Sequence, residues 1–75
     1  MAELLAYNYV EIDNTTGMCI GVYTASGPET EGPTTLGTTI MEVPVNDPDY
    51  LFKYYINGNW YEDAAGTIPW TSSLL

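Results

Sequence analysis

Apolar and polar residues alternate along most of this chain with a period of two, the spacing that sends successive side chains to opposite faces of a β-strand. The alternation is clear in residues 6–13, 18–26 and 38–45. Almost no stretch carries the 3.6-residue period of an amphipathic helix. The pattern therefore predicts an all-β fold with low helix content.

The strongest local signal is a β-hairpin over residues 53–62. Asn57 and Gly58 are adjacent residues that tolerate positive φ, as a two-residue type I′ turn requires, and aromatic and β-branched residues flank them. A two-residue turn fixes the register. The predicted cross-strand pairs are Ile56 with Asn59, Tyr55 with Trp60, Tyr54 with Tyr61, and Lys53 with Glu62.

A second hairpin is predicted from residues 6–13 and 18–26, joined by the polar turn 13–17. Gly17 can take the left-handed conformation that closes a bulged turn. Gly21 interrupts the return strand, which predicts a bulge or a close neighbour, and we expect that neighbour to be a ring of the other hairpin. Strict alternation predicts two faces for the return strand: Met18, Ile20, Val22 and Thr24 on one, and Cys19, Gly21, Tyr23 and Ala25 on the other.

The middle of the chain reads as a loop, a strand and a turn. Residues 27–37 are rich in Gly, Pro, Thr and Glu, which predicts a surface loop that is either mobile or ordered by something outside the protomer. Residues 38–45 form the third strand, and Pro44 places this strand, or at least its end, at a sheet edge. Asp47 is a candidate N-cap for a short helical turn that begins at Pro48.

The chain closes on an apolar tail. After a turn at residues 63–67, residues 67–75 read as extended, and Trp70, Leu74 and Leu75 need a place to pack. Two alternatives stay open: the tail folds back over the hairpin, or it docks on a neighbouring protein. The whole chain, 1–75, is predicted to be one β domain, a small single sheet, sandwich or partly open barrel built from two hairpins plus an edge strand.

Size and cysteine content limit how this fold is stabilised. A chain of 75 residues buries only about 60% of the surface that it exposes when unfolded. Cys19 is the single cysteine and histidine is absent, so an internal disulfide and the usual zinc sites are excluded. We therefore expect assembly, as a homo-oligomer or in a multi-copy complex.

The charge is strongly negative, with one Lys, no Arg, ten acidic residues and a formal net charge of −9. Nucleic-acid backbones and anionic membranes need cationic side chains, so neither is an expected partner, whereas a basic protein surface is compatible. Residues 1–6 lack a positively charged start and a long apolar run, so no targeting segment is predicted and the protein is expected to be made in a cytosol.

Catalysis is not expected. Without histidine, Cys19 has no base or cation nearby in sequence, which favours a buried thiol over a nucleophile. The pair Glu29 and Glu31 could in principle hold calcium, but the spacing matches no EF-hand, and we expect a solvated loop. The sequence thus predicts no enzyme activity, no metal and no cofactor.

Aromatic residues are the better functional signal. Seven Tyr and two Trp offer the amphipathic contact area that recognition surfaces use. Tyr54, Tyr61 and Ile56 are expected to complete the core. The predicted partner-binding residues are Tyr7, Tyr9, Trp70, Leu74 and Leu75.

Two segments resemble short modules of tail fibres and related virion proteins of tailed bacteriophages. Residues 12–22, IDNTTGMCIGV, resemble a hairpin with an Asn-rich turn before Cys-x-Gly-Val, and residues 53–62, KYYINGNWYE, resemble the Asn-Gly-x-Trp segment that closes such modules. The 27–37 loop and the Trp70 tail depart from that pattern. The resemblance implies a non-catalytic structural protein of the virion, such as a capsid decoration, tail or fibre-associated subunit that contacts other virion proteins.

Two other functions stay open. An acidic inhibitor that mimics nucleic acid and blocks a host defence or DNA-binding protein would account for the charge, although the carboxylates are scattered through turns and loops. A carbohydrate-binding module with Tyr and Trp platforms would account for the aromatic content.

Overall fold

The computed structural model describes residues 7–75 and confirms the all-β prediction. Six strands alternate with turns, and one 3-10 turn, Pro48–Tyr50, stands between the fourth and fifth. The sequence predicted five strands; the additional one is two residues long and forms inside the 27–37 loop. The strands are β1 Tyr7–Asp13, β2 Cys19–Ala25, β3 Gly32–Pro33, β4 Thr38–Val43, β5 Tyr54–Ile56 and β6 Asn59–Tyr61.

The first four strands form one antiparallel sheet in the order β2-β1-β4-β3. The strand expected at a sheet edge, or at least with its end there, is β4. Its first half lies between β1 and β3, because Gly32 and Pro33 pair with Ile40 and Thr39, and only its end, after Ile40, has no described strand on the outer side. Pro44 directly follows the last residue of β4, so its missing N–H removes no rung from the ladder. Pro44 therefore marks the end of β4.

A β-bulge at Ile20 changes which side chains of β2 enter the core. Glu11 pairs with Gly21, but the next residue of β1, Ile12, pairs with Cys19, so Ile20 is the extra residue. Cys19 thereby joins the face of Val22 and is fully buried, while Ile20 is 41% exposed. The two faces predicted from strict alternation are wrong on this point. Gly21 neighbours the side chain of Glu11, and not the aromatic ring that we expected.

The predicted hairpin is confirmed in its turn and register. Asn57 and Gly58 have φ of 50° and 83°, and the three pairs nearest the turn are those expected. Lys53 departs from the prediction: its carbonyl accepts a hydrogen bond from the N–H of Cys19 at 2.7 Å, so it pairs with the first hairpin and not with Glu62.

Backbone hydrogen bonds join the two hairpins. Met18 and Tyr54 form a β-bridge, and the N–H of Tyr55 donates to the carbonyl of Gly17 at 2.9 Å. The outer side of β2 is thus bonded to Phe52 and Lys53 at Cys19, and beyond the bulge no described strand pairs with it. Because bulges bend and twist a strand, Ile20 lets the small hairpin turn over the main sheet.

The core lies between the main sheet and this hairpin. Its members come from β1, β2, β4 and the 3-10 turn, and partly buried aromatic residues of the hairpin and tail pack against them. The buried residues are Val10, Ile12, Cys19, Val43 and Tyr50. The partly buried cover includes Val22, Met41, Val45, Tyr55, Trp60 and Trp70.

The opposite face of the sheet is contacted by residues 27–31, the part of the loop that leads into β3. The N–H of Glu29 donates to the Tyr9 hydroxyl at 2.7 Å, and the Glu31 carboxylate accepts from the N–H of Glu42 at 2.8 Å. The loop is therefore hydrogen-bonded to its own sheet, which is neither of the two expected alternatives, a mobile loop or one ordered by something outside the protomer. Residues 6 and below, which include the predicted start of β1, lie outside the described residues.

The turn and the tail complete the fold. Asp47 caps the 3-10 turn as predicted, since its Oδ1 accepts from the N–H of Asp49 at 2.9 Å. The tail folds back on the hairpin: Tyr61 and Pro69 form a bridge, and the N–H of Trp70 donates to the carbonyl of Trp60 at 3.0 Å. Of the two alternatives for Trp70, folding back is the one observed.

Candidate functional site

The five residues predicted to bind a partner fall into two groups on opposite sides of β1. Tyr7 and Tyr9 lie on the face that residues 27–31 contact, whereas Trp70 packs on the core side and Leu74 and Leu75 follow it. The structure does not bring the two groups together. They are therefore two separate surfaces.

Tyr9 does not belong to an exposed surface. Its side chain is only 2% exposed, its ring stacks on Tyr23 with centroids 5.6 Å apart, and Glu29 caps its hydroxyl. The partner contact expected at Tyr9 is thus replaced by an internal one, because the loop returns over this face of the sheet. Tyr7, two residues earlier on the same face, is half-buried.

An aromatic cluster, formed by Tyr50, Tyr55, Trp60 and Trp70, occupies the other side. Tyr50 stands 4.9 Å from Trp60 and 5.0 Å from Trp70, and Tyr55 stands 5.1 Å from Trp60, all centroid to centroid. The rings meet at tilted or edge-on angles, the arrangement favoured by their quadrupoles. The hairpin register brings Tyr55 to Trp60, which the sequence predicted, but the ring of Tyr50 comes from the 3-10 turn and was not foreseen.

The only lysine of the chain is part of this cluster. Lys53 Nζ lies 5.2 Å from the centroid of the Trp70 ring, within the range of a cation–π contact. The tail thus covers the cluster with an aromatic ring that also holds the cation in place. Burial raises the pKa of the Tyr50 hydroxyl above its ordinary value, and nearby Asp47 raises it further.

Two leucines emerge from the anchored end of the tail. Ser72 is buried, and its hydroxyl donates to Asp47 Oδ2 and accepts from the N–H of Leu74 at 3.1 Å. Leu74 and Leu75 are nevertheless 58% and 68% exposed. Leu75 borders a cavity of about 220 Å³ that Tyr50, Trp60 and Trp70 also line. The side chains of Leu74 and Leu75 are therefore held at the surface, because the backbone is anchored at Ser72 just before them.

A wider cavity of about 440 Å³ opens between β4, the turn of the first hairpin and Tyr55. Ile12, Ile40 and Met41 contribute hydrocarbon to its lining, and Asp13 and Glu31 contribute carboxylates. Such a lining suits an apolar side chain of a partner.

The face of Tyr9 and Tyr23 is acidic. Glu42 pairs with Tyr9 across the β1–β4 ladder, Glu11 lies two positions along β1, and Glu29 crosses above. Desolvation raises the pKa of Tyr23, and the charges of Glu29 and Glu11 raise it further. We call Glu11, Glu29 and Glu42 with Tyr23 the acidic face. These carboxylates are far apart in the sequence. The cross-strand pairing of Tyr9 with Glu42 was the one signal that could have placed them on the same face of the sheet.

The reactive groups of the described residues are few. Cys19 is fully buried, its Sγ lies 3.3 Å from the carbonyl oxygen of Gly21, and burial raises its thiol pKa. A thiol in that state is protonated at neutral pH and poorly nucleophilic. Within residues 7–75, no cluster of three or more Cys, Asp or Glu side chains is arranged to hold a metal ion.

Comparisons of the chain with protein-family models, with curated proteins and with solved structures gave no match. In the part of the chain that the structure describes, no helix is long and apolar enough to cross a membrane.

Proposed function

We propose that this chain is a non-enzymatic structural subunit of a tailed-bacteriophage virion, a capsid decoration, tail or fibre-associated protein that works through protein–protein contacts. The observation that carries the proposal is the direct pairing of the two segments that resemble virion modules. Cys19 of the first segment donates to the carbonyl of Lys53, Gly17 accepts from the N–H of Tyr55, and Met18 forms a β-bridge with Tyr54. Residues 53–55 open the second segment. Segments that pair in this way support interpretation as one module.

The exposed leucines supply a contact surface for such a subunit. Trp70 and Ser72 anchor the tail, so Leu74 and Leu75 are presented with little freedom left to lose when a partner covers them. In this proposal they dock into an apolar recess of another virion protein. The protein is made in the host cytoplasm and is retained in the particle in many copies.

The first experiment is quantitative mass spectrometry of purified particles from a phage that encodes the chain. Dozens of copies or more per particle support a structural subunit. Absence from particles, together with abundance in infected cells, contradicts the proposal.

The second experiment tests the leucines in particles. Leu74→Ser with Leu75→Ser removes the apolar tip but keeps Trp70 and Ser72, so the fold is retained and incorporation is expected to fall at least tenfold. Leu36→Ser is the matched control, because Leu36 is 80% exposed on the far loop. Normal incorporation of the double variant would contradict the docking role.

The acidic face supports a second candidate, the inhibitor that mimics nucleic acid. Folding gathers Glu11, Glu29 and Glu42 on one side of the sheet, although they are far apart in sequence. This function predicts binding to a basic host protein that weakens steeply between low and high salt. Binding that is unchanged by salt would contradict it.

A further inference from the structure

The edges of the β-structure are protected unequally. The β3 edge is two residues long and includes Pro33, and the β6 edge is covered by the tail through the pairing of Glu62 with Ile68 and of Trp60 with Trp70. Short edges, prolines and covering segments are the usual devices against unwanted strand pairing. The β2 edge has only the bulge at Ile20, which lies before this stretch: residues 21–25 contain neither a charge nor a proline, and no described residue forms a ladder with their outer side.

The register identifies which peptide groups are open. The N–H of Asp13 donates to the carbonyl of Met18, so Asp13 directs its backbone toward the β2 side. Backbone direction alternates along an antiparallel strand, so Glu11 and Tyr9 also face β2 and bond to Gly21 and Tyr23. The residues between and beyond them, Val22 and Thr24, point the other way. Their N–H and carbonyl groups are directed away from β1, to a side on which no described strand pairs with them.

Side chains beside this edge define what could pair with it. Tyr23 lies on the acidic face, where Glu29 and Glu11 are close enough to influence its hydroxyl. Val22 lies on the core face and is half-buried, and Thr24 accepts from Asn46 Nδ2 at 2.6 Å. An added strand would set one row of side chains over Tyr23 and the carboxylates, and the alternate row beside Val22 and Thr24.

We propose that the β2 edge, residues 21–25, binds an extended basic segment of a partner protein by strand addition. Cationic side chains at alternate positions of that segment lie over Tyr23 between Glu11 and Glu29, and small or β-branched residues lie beside Val22 and Thr24. The net charge of −9 favours such a partner over a second copy of the chain, whose own carboxylates would be brought near. The proposal does not depend on the virion assignment.

The probe is a fluorescent peptide of alternating lysine and valine, with its termini blocked, titrated with the full chain and followed by anisotropy. Paired with Val22 and Thr24, the valines direct their N–H groups to β2 and the lysines direct theirs to solvent. N-methylation of the valines is therefore expected to weaken binding at least tenfold, whereas N-methylation of the lysines leaves it nearly unchanged. Equal loss, or no loss, with both methylation patterns would overturn strand addition.

Matched variants of the chain test the same edge. Thr24→Pro and Thr24→Val both remove the bond to Asn46, but only proline removes the outward N–H, so only Thr24→Pro is expected to lose peptide binding. Circular dichroism of both variants establishes that they fold. Glu29→Gln is expected to weaken binding by roughly threefold and to flatten its salt dependence.

Sedimentation of the chain alone tests whether a second copy of the chain, and not a basic partner, occupies the β2 edge. A monomer agrees with the proposal. A dimer that Thr24→Pro dissociates and Thr24→Val does not would show that a second copy occupies the edge, and would overturn the basic partner.

Discussion

The Ser72 hydroxyl donates a hydrogen bond to Asp47 Oδ2. The two residues are 25 positions apart in the chain, and both side chains are buried. Asp47 Oδ1 at the same time caps the 3-10 turn through the N–H of Asp49. One carboxylate therefore fixes both the turn that delivers Tyr50 to the core and the tail that delivers Trp70. Two of the four rings of the aromatic cluster, Tyr50 and Trp70, come from segments outside the strands, and this bond links those segments.

Loss of the Ser72 hydroxyl is expected to loosen the tail. Ser72→Ala leaves one oxygen of a buried carboxylate without its partner, which costs more than the hydrogen bond alone. We expect a thermal midpoint several degrees lower, together with a change in tryptophan fluorescence as Trp70 gains exposure. Ser73→Ala, on an exposed neighbour, is the control and should melt like the parent. Coincident melting curves for the two variants would mean that the bond contributes nothing.

Acid should destabilise the protein through Asp47 and Asp63. The hydroxyls of Ser72 and Thr67 hold the pKa of these carboxyls below the ordinary value of 3.8, and backbone N–H groups lower it further. A carboxyl whose folded pKa is depressed stabilises the fold fully above its unfolded pKa, and this contribution is lost as pH falls through the lower, folded value. The urea concentration at the unfolding midpoint should therefore decrease as the pH is lowered below about 4. Asp47→Asn should make this decrease with pH less steep.

Trp70 is expected to contribute more to stability than any other tail residue. Trp70→Ala removes a ring that contacts Tyr50 and Trp60, and because the ring is half-buried we expect a loss of about 3 kcal/mol in the free energy of unfolding. Ile68→Ala is the control, as Ile68 is 51% exposed. Urea denaturation measures both. A loss no larger than that of Ile68→Ala would contradict the packing of the tail.

Gly66 lies in the turn that follows the hairpin and has a left-handed backbone conformation, which is unfavourable for residues other than glycine. Its φ is +68°, and an added Cβ would lie 3.3 Å from Cδ1 of Ile56. Gly66→Ala should therefore destabilise the fold by about 1–2 kcal/mol. Gly27 has no atom within 4 Å of the equivalent position, and Gly27→Ala should be near neutral. Equal unfolding free energies for the two alanine variants would contradict the assigned turn.

The sequence determined the local structure wherever neighbouring residues sufficed. Asn57 and Gly58 specify the hairpin turn and hence its register, and Asp47 with Pro48 specifies the capped 3-10 turn. The alternation of β1 likewise places Val10 and Ile12 on one face, and both are buried in the core. These features depend on φ preferences, ring constraints and side-chain spacing, all of which act over a few residues.

The tertiary structure decided what depends on distant partners. The bulge at Ile20 moves Cys19 to the core face of β2, where Ile12 pairs with it on one side while Phe52 and Lys53 bond to it on the other. Tyr9 is buried because residues 27–31 return over it, which brings Glu29 to the face where the β1–β4 register places Glu11 and Glu42. Alternation assigns a side chain to a face; only the packing of the other segments determines whether that face is covered.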